Sequence, residues 1–332
     1  MRRIAYIVLM LLLTPVLLIA LPFYFIPIML KRGVVSGTTY EPFSARLIYH
    51  LLGSRPDPAA MQLAGGLPAT NRFVMNLMVK PLAWCSQITG YIPAMFELPP
   101  SRPITMRAFI GARCEFLDAA MLDYIAEDSQ VVILGAGWDT RAYGMVKDKN
   151  AKIFEVDAPA TQAVKCSALD STGIDSSRVT FVSCDFNRQN WLDALNENGF
   201  DPTKQTFLLW EGVTMYLEEE AIQSTLKAVA TLSSGSCIAC DFFGREWLEG
   251  TRVGKAAQRG VTATYGEPFT FGFPVSPVFS SALKDYLEPC GLTLERDLAM
   301  GDDSERGLPF GGLFLAVNSS TENHITDRGS TS

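Results

Sequence analysis

Histidine is nearly absent from this chain: His50 and His324 are the only two in 332 residues. A zinc site built on histidines or a Ser-His-Asp triad therefore has almost no material to draw on. The seven cysteines do not fill the gap. They are odd in number and scattered, which suits free thiols in a reducing compartment better than a disulfide framework. Cys237 and Cys240 make one Cys-x-x-Cys, but Gly235 to Phe243 reads as a buried strand, and no second pair or nearby histidine completes a metal set. A basic stripe is missing too. Lys and Arg number 28 against 35 Asp and Glu, a net charge of −7, and no Lys/Arg-rich run follows residue 33. That argues against a nucleic-acid partner.

What the chain has in excess is apolar surface: 48% of its residues are hydrophobic and 19% charged. Much of the excess lies at the start, where the 27 residues from Ile4 to Leu30 carry no charge. Arg2 and Arg3 bracket them on one side, Lys31 and Arg32 on the other. At about 1.5 Å per residue such a helix exceeds a hydrocarbon core of about 30 Å. We read residues 1–32 as an N-terminal anchor with one membrane span over 4–30. A signal peptide would have an apolar core of about 7–15 residues and a small-residue cleavage site, and neither is evident. A buried core helix rarely stays uncharged for so long. Pro15, Pro22 and Pro27 leave a re-entrant hairpin open. The flanking charges balance, so they do not orient the span.

Residues 33–103 lean helical, with Pro- and Gly-rich breaks, and read as a cap or lid. Within them Phe73 to Leu98 is again apolar, with Lys80 and Glu97 its only charges. A second span is one reading of it. Asn76, Pro81, Ser86 and Gln87 favour a membrane-surface helix or a lid over a pocket. From Ile104 to Ile125 we expect a helix, and beyond it strands and helices alternate. Strands are expected at Gln130–Leu134, Ile153–Asp157, Val179–Ser183, Thr206–Trp210 and Ser236–Phe242. Two more follow at Thr293–Asp297 and Gly312–Val317. Helices are expected at Ala160–Leu169, Trp191–Asn198, Glu218–Leu232 and Pro277–Pro289. The pattern implies an α/β fold over 104–317: a doubly wound, mostly parallel, seven-stranded sheet. The polar stretch 318–332 reads as a disordered tail.

The chemistry concentrates at strand ends. Gly135-Ala-Gly137 follows the first strand, where glycines allow a tight turn and close approach of a ligand. A dinucleotide fingerprint would place a third glycine where Thr140 stands. Asp139 reads as the N-cap of a following helix, and Arg141 as a structural pair or a solvated charge. Glu155-Val-Asp157 ends the second strand, where an acidic tip can accept both hydroxyls of a ribose. Cys184-Asp185-Phe186 ends the third strand and suits an adenine, and Trp210-Glu211 ends the fourth. Four such tips converge on one crevice, where open α/β sheets bind ligands.

The run Val131 to Tyr143 resembles the first motif of the leucine carboxyl methyltransferase family. Phe154-Glu-Val-Asp-Ala-Pro159 with Lys165 resembles its second motif. Glu211-Gly-Val-Thr-Met-Tyr-Leu217 is similar to its Glu-Gly-x-x-x-Tyr-Leu signature, and Ala112-Arg-Cys-Glu-Phe-Leu-Asp118 to its Arg-Thr-x-x-x-Asp helix, with Cys114 for the threonine. The likeness covers about residues 104–317. It implies the cofactor S-adenosyl-L-methionine, with Arg113 on the methionine carboxylate and Gly135, beside Gly137, against the methionine part. Asp157 would hold the ribose, Asp185 and Phe186 would frame the adenine, and Glu211 would sit near the amino group. Each has a plain alternative: Arg113 as a surface charge, Asp157 as a turn cap, Glu211 as one end of an internal ion pair.

These features imply O-methyl transfer to a carboxylate or hydroxyl. A carboxylate acceptor needs no general base, which suits the scarcity of histidine; for a hydroxyl, Tyr216 or Tyr143 are the candidate bases. The anchor favours a small or lipophilic acceptor over a protein C-terminal carboxylate, with the domain facing the cytosol. An inactive membrane scaffold and an NAD(P)-dependent oxidoreductase are the competing readings.

Overall fold

The structure, a computed structural model, describes residues 1–302, 304 and 307–318. Its centre is one seven-stranded sheet in the order β3-β2-β1-β4-β5-β7-β6. The strands are β1 (Gln130–Leu134), β2 (Lys152–Asp157), β3 (Val179–Ser183), β4 (Thr206–Trp210), β5 (Cys237–Phe243), β6 (Leu292–Gly301) and β7 (Pro309–Asn318). The first five are mutually parallel, while β7 inserts antiparallel between β5 and β6. The sheet is therefore mixed, and Asn318 belongs to its last strand and not to a tail. The rest of the expected tail, 319–332, lies outside the described residues.

Every residue of β1 and β4 is buried, as central parallel strands covered on both faces must be. Val131 and Ile133 point to one apolar core and Val132 and Leu134 to the other, the period-two alternation of a pleated strand. The helices, in chain order, begin with α1 (Arg2–Leu30), α2 (Tyr40–Leu52) and α3 (Pro58–Ala64). Next, α4 (Arg72–Val74) runs through a π turn (Met75–Val79) into α5 (Lys80–Thr89). Then come α6 (Phe109–Tyr124), α7 (Pro159–Thr172), α8 (Trp191–Glu197) and α9 (Glu219–Ala230), followed by α10 (Arg245–Gly250), α11 (Arg252–Tyr265) and α12 (Phe279–Leu287). Ala112 and Leu117 of α6 and Leu169 of α7 pack in one core; Trp191, Leu226 and Leu283 pack in the other. This is the doubly wound arrangement the alternation implies.

Two local expectations fail. No α-helix follows β1; the chain makes only a 3-10 turn at Arg141–Tyr143. The reason lies in Asp139, whose carboxylate accepts the Arg141 N–H at 2.8 Å and closes a short turn. Arg141 is drawn inward by buried carboxylates, at 1% exposure, so the segment cannot wind outward as a surface helix. In addition, α6 starts at Phe109 rather than Ile104, after a turn in which Ala108 donates to the Thr105 carbonyl at 2.8 Å.

Among the described residues, α1 is the one helix long and apolar enough to cross a membrane. Its three prolines lie inside it without interrupting it, which removes the hairpin reading. It is not free of the body. Ala20, Tyr24 and Ile28 are buried, and the helix lies against the 72–89 segment.

Candidate functional site

A cavity of about 730 Å³ opens at the C-terminal ends of the parallel strands. Gly135 and Gly137 after β1, Asp157 at the end of β2, Asp185 and Phe186 after β3, and Glu211 after β4 all line it. Arg113 reaches it from α6 and Tyr216 from the loop after β4. Parallel pairing forces this convergence, because β1 lies between β2 and β4 and their C-terminal ends share one edge. Tyr143 is the exception. It is buried outside the cavity lining, with the Lys165 ammonium 5.5 Å from its ring centre. The short turn that replaces the expected helix carries it away from the strand tips, so it is withdrawn as a candidate base.

The glycine turn is set by backbone bonds. Gly135 and Ala136 donate their N–H groups to the Val156 carbonyl at 2.8 and 3.1 Å. Asp157 accepts from the N–H of Gly137 and, at 2.6 Å, from that of Ala158. Burial pushes the Asp157 carboxyl upward, and these two donors partly offset it. Gly135 has φ +68°, and a Cβ there would lie 2.2 Å from Val213 Cγ2. The site thus has a surface that only glycine permits beside an anchored carboxylate, a fit for a ribose-bearing ligand with an extended polar tail.

Beneath this floor runs a buried ionic network that sequence motifs only partly reveal. Glu211 accepts from Arg113 at 2.8 Å, Arg46 at 2.6 Å and Arg141 at 2.7 Å. Arg113 also meets Asp241 at 3.3 Å, Arg46 meets Asp139 at 3.2 Å, and Arg141 pairs with Asp139. The chain of pairs continues through Asp118, which accepts from Arg141 at 2.7 Å and from Arg55 at 2.6 Å, and ends at Asp57. Burial opposes the charge on Glu211, but Arg46, Arg141 and Arg113 hold its carboxyl well below the usual range. Burial likewise raises the Asp241 carboxyl, with Arg113 pulling the other way. Glu211 is therefore an internal ion-pair partner and a cavity-lining group at once. Arg113 has a fork already engaged, so a ligand carboxylate would have to share it.

Arg46 lines the cavity and escaped the sequence reading, since a lone arginine on α2 carries no motif. Asp241 was legible in principle, as the single acid inside an apolar β5.

The cavity is roofed by two segments far apart in sequence. One is the 33–39 strap between α1 and α2; the other is the 244–269 stretch containing α10 and α11. The apolar 73–98 segment, read as a membrane-surface helix or a lid, does not line the cavity and packs against α1. Glu267 ties the two roof segments together. It accepts from Ser36 Oγ at 3.1 Å, the Gly37 N–H at 2.6 Å and Thr38 Oγ1 at 2.6 Å. Arg32 donates to the Thr262 carbonyl at 2.8 Å, and Tyr265 bonds Glu41. Glu267→Ala is expected to raise trypsin cleavage after Lys31 and Arg32 several-fold in mild detergent. An unchanged cleavage rate would mean that the Arg32 and Tyr265 contacts hold the strap alone.

The apolar end of the cavity is formed by Phe109, Phe243, Trp247, Val261 and Phe269. Phe269 packs on both Tyr216 (5.5 Å between ring centres) and Phe243 (5.2 Å).

Comparison with known proteins agrees with this geometry. The sequence model of the leucine carboxyl methyltransferase family matches residues 84–230. A Streptomyces coelicolor protein provisionally named an S-adenosyl-L-methionine-dependent methyltransferase is 33% identical over 209 residues, 62% of this chain and 71% of that protein. The chain belongs to the leucine carboxyl methyltransferase family. A Mycobacteroides abscessus relative, also provisionally named an S-adenosyl-L-methionine-dependent methyltransferase, is 31% identical over 177 residues, 50% of this chain. That match spans 55% of the relative's length, little more than half. Among solved structures, a Methanosarcina mazei protein titled as one of the SAM-dependent methyltransferases aligns at 12% identity and a TM-score of 0.41, over 60% of this chain and 96% of that one. The family matches include Arg113, Gly135, Asp157 and Glu211, while α1 and the strap lie outside residues 84–230.

Proposed function

We propose that the chain is an active S-adenosyl-L-methionine-dependent O-methyltransferase, attached to a membrane through α1 and acting on a hydrophobic acceptor. The observation that carries this reading is that one cavity joins a polar end to an aromatic end. Asp157 would hold the ribose hydroxyls, Asp185 and Phe186 the adenine, and Arg113 with Glu211 the amino-acid end. The cofactor, when bound, supplies a methyl group already activated on a sulfonium.

The protein's own task is then to align an acceptor oxygen and exclude water. Alignment alone can contribute about 7–11 kcal/mol. Tyr216 lines the cavity, and burial pushes its hydroxyl above the ordinary tyrosine value. It therefore stays protonated near pH 7 and serves as a hydrogen-bond donor rather than a base. That favours an acceptor that arrives ionised, a carboxylate on an apolar body, over a hydroxyl that needs deprotonation. The roof segments line the aromatic end with apolar side chains, and a cytosolic domain has direct access to the cofactor pool.

Calorimetric titration of S-adenosyl-L-methionine into the detergent-solubilised chain tests this reading, with NAD(P) titrated in parallel. Saturable binding is expected. Asp157→Ala removes two charge-assisted contacts, each about 1.5–3 kcal/mol, and should weaken binding by at least about 100-fold. No binding by a folded chain would favour the inactive scaffold, and NAD(P) binding would favour an oxidoreductase.

A further inference from the structure

The packing of α1 bears on how the chain meets its membrane. The rings of Tyr6 and Tyr91 lie 5.3 Å apart and those of Phe23 and Phe73 4.5 Å apart. The helix and the 72–91 segment therefore run antiparallel. The seventeen residue steps from Tyr6 to Phe23 rise about 26 Å, and the eighteen from Phe73 to Tyr91 rise about 27 Å at helical pitch, so the two match along their length. At the far end Arg2 lies against Gly90, within 4 Å of where a Cβ would stand. One stripe of α1 thus touches protein along its length, with Ala20, Tyr24 and Ile28 its buried members.

Two features oppose a crossing in this state. A span would take the 72–91 segment into the hydrocarbon with it. Lys80, whose ammonium donates to Asn76 at 2.9 Å, would then sit within about 3 Å of the bilayer centre. Charge there is costly, and among the described residues no carboxylate pairs with this lysine. The flanking charges give a span no direction either. Arg2 and Arg3 at one end and Lys31 and Arg32 at the other are all exposed, and a spanning helix with balanced ends has no preferred side.

Resting on the membrane attachment proposed above, we infer that α1 lies in the plane of the bilayer and sinks one apolar face into a single leaflet. Both basic ends then reach headgroups of that leaflet, which explains their symmetry. Ile4, Leu11, Leu18, Ile26 and Leu30 are exposed on α1, and Trp84, Ile88 and Ile92 are exposed beside it. Beyond this face and its margins, the large exposed apolar residues among those described are Met106, Leu122, Val253 and Val278. An isolated in-plane helix needs a polar face of its own. Here α1 has no charge from 4 to 30, and the protein body takes that place. Trp84 suits the interface, where an indole can bury its ring and keep its N–H wet. The strap that begins at Gly33 then leads from headgroup depth directly into the cavity.

The test uses the full chain with an epitope tag before Met1, expressed in sealed vesicles and treated with protease. An in-plane α1 places tag and catalytic domain on one side, so both are digested together, without detergent. Protection of the tag in vesicles whose domain is digested would establish a crossing and overturn the inference. Release of the whole chain by buffer alone would overturn the attachment reading instead. A second variant, Trp84→Glu with Ile88→Glu, changes exposed side chains only. It should raise the fraction extracted by alkaline carbonate several-fold, whereas unchanged extraction would remove the 72–91 flank from the membrane face.

Discussion

Glu211→Gln is expected to lower the melting temperature of the detergent-solubilised chain by about 5–10 °C and to abolish saturable binding of S-adenosyl-L-methionine. The substitution preserves size and shape but withdraws the one carboxylate that Arg46, Arg113 and Arg141 share. Removing one partner of a buried ion pair typically costs about 3–5 kcal/mol, because the charge left behind is neither solvated nor paired. Here three guanidiniums are left facing an amide whose one oxygen can accept at most two bonds from them and whose two N–H groups they cannot use. Arg113 would turn towards Asp241 alone, away from the cavity floor. Thermal unfolding and calorimetry measure the two effects, and a shift below about 2 °C would mean that Asp139 and Asp241 suffice to hold the arginines.

The same residue sets a pH dependence whose sign follows from its environment. Glu211 is held well below the ordinary carboxylate range in the folded chain, and its unfolded value is about 4.3. A carboxylate lowered by folding contributes stability above its unfolded value and loses it as pH falls towards the folded one. The stability gap between the parent chain and Glu211→Gln should therefore stay level from pH 8 to about pH 5 and narrow below about pH 4. Against opposing burial, Asp118 is lowered by Arg141 and Arg55, and Asp139 by Arg141 and Arg46, so part of the acid sensitivity will persist in the variant.

Most of the cavity-lining residues were legible because they sit at strand ends marked by their own neighbours. Gln130-Val-Val-Ile-Leu134 stops at a glycine, and Ile153 to Val156 stops at an acid, so strand and tip are read together. Parallel order does the rest, bringing Gly135, Asp157, Asp185 and Glu211 to one edge. What escaped the reading depends on partners far apart in the chain. Arg46 meets Glu211 across 165 positions, and Arg55 meets Asp118 across 63. No periodicity records such pairs. The turn after β1 was misread as a helix for the same reason: Trp138 to Tyr143 has acceptable helix formers, but Arg141 is held by carboxylates from other elements. The roof was misplaced because 73–98 reads as a membrane-surface helix or a lid, whereas the 244–269 stretch carries no such mark. Only packing shows that the first is spent on α1 and that Glu267 fastens the second to the strap.

Gly135→Ala should reduce cofactor affinity by at least about 100-fold, and the double variant with Val213→Ala should recover part of the loss. Two separate costs meet at this position. The first is conformational, since φ is +68° and a side chain there pays about 1–2 kcal/mol. The second is steric, since the new Cβ would lie 2.2 Å from Val213 Cγ2 and one of them must move. Shortening Val213 removes the second cost and leaves the first, so a residual deficit of about 5–30-fold is expected. The two substitutions touch the same few atoms, and their effects should be strongly non-additive. Full additivity in calorimetric affinities would mean that the clash is relieved by backbone shift at the turn. Recovery would show instead that Val213, three positions beyond the end of β4, shapes the cavity floor at Gly135.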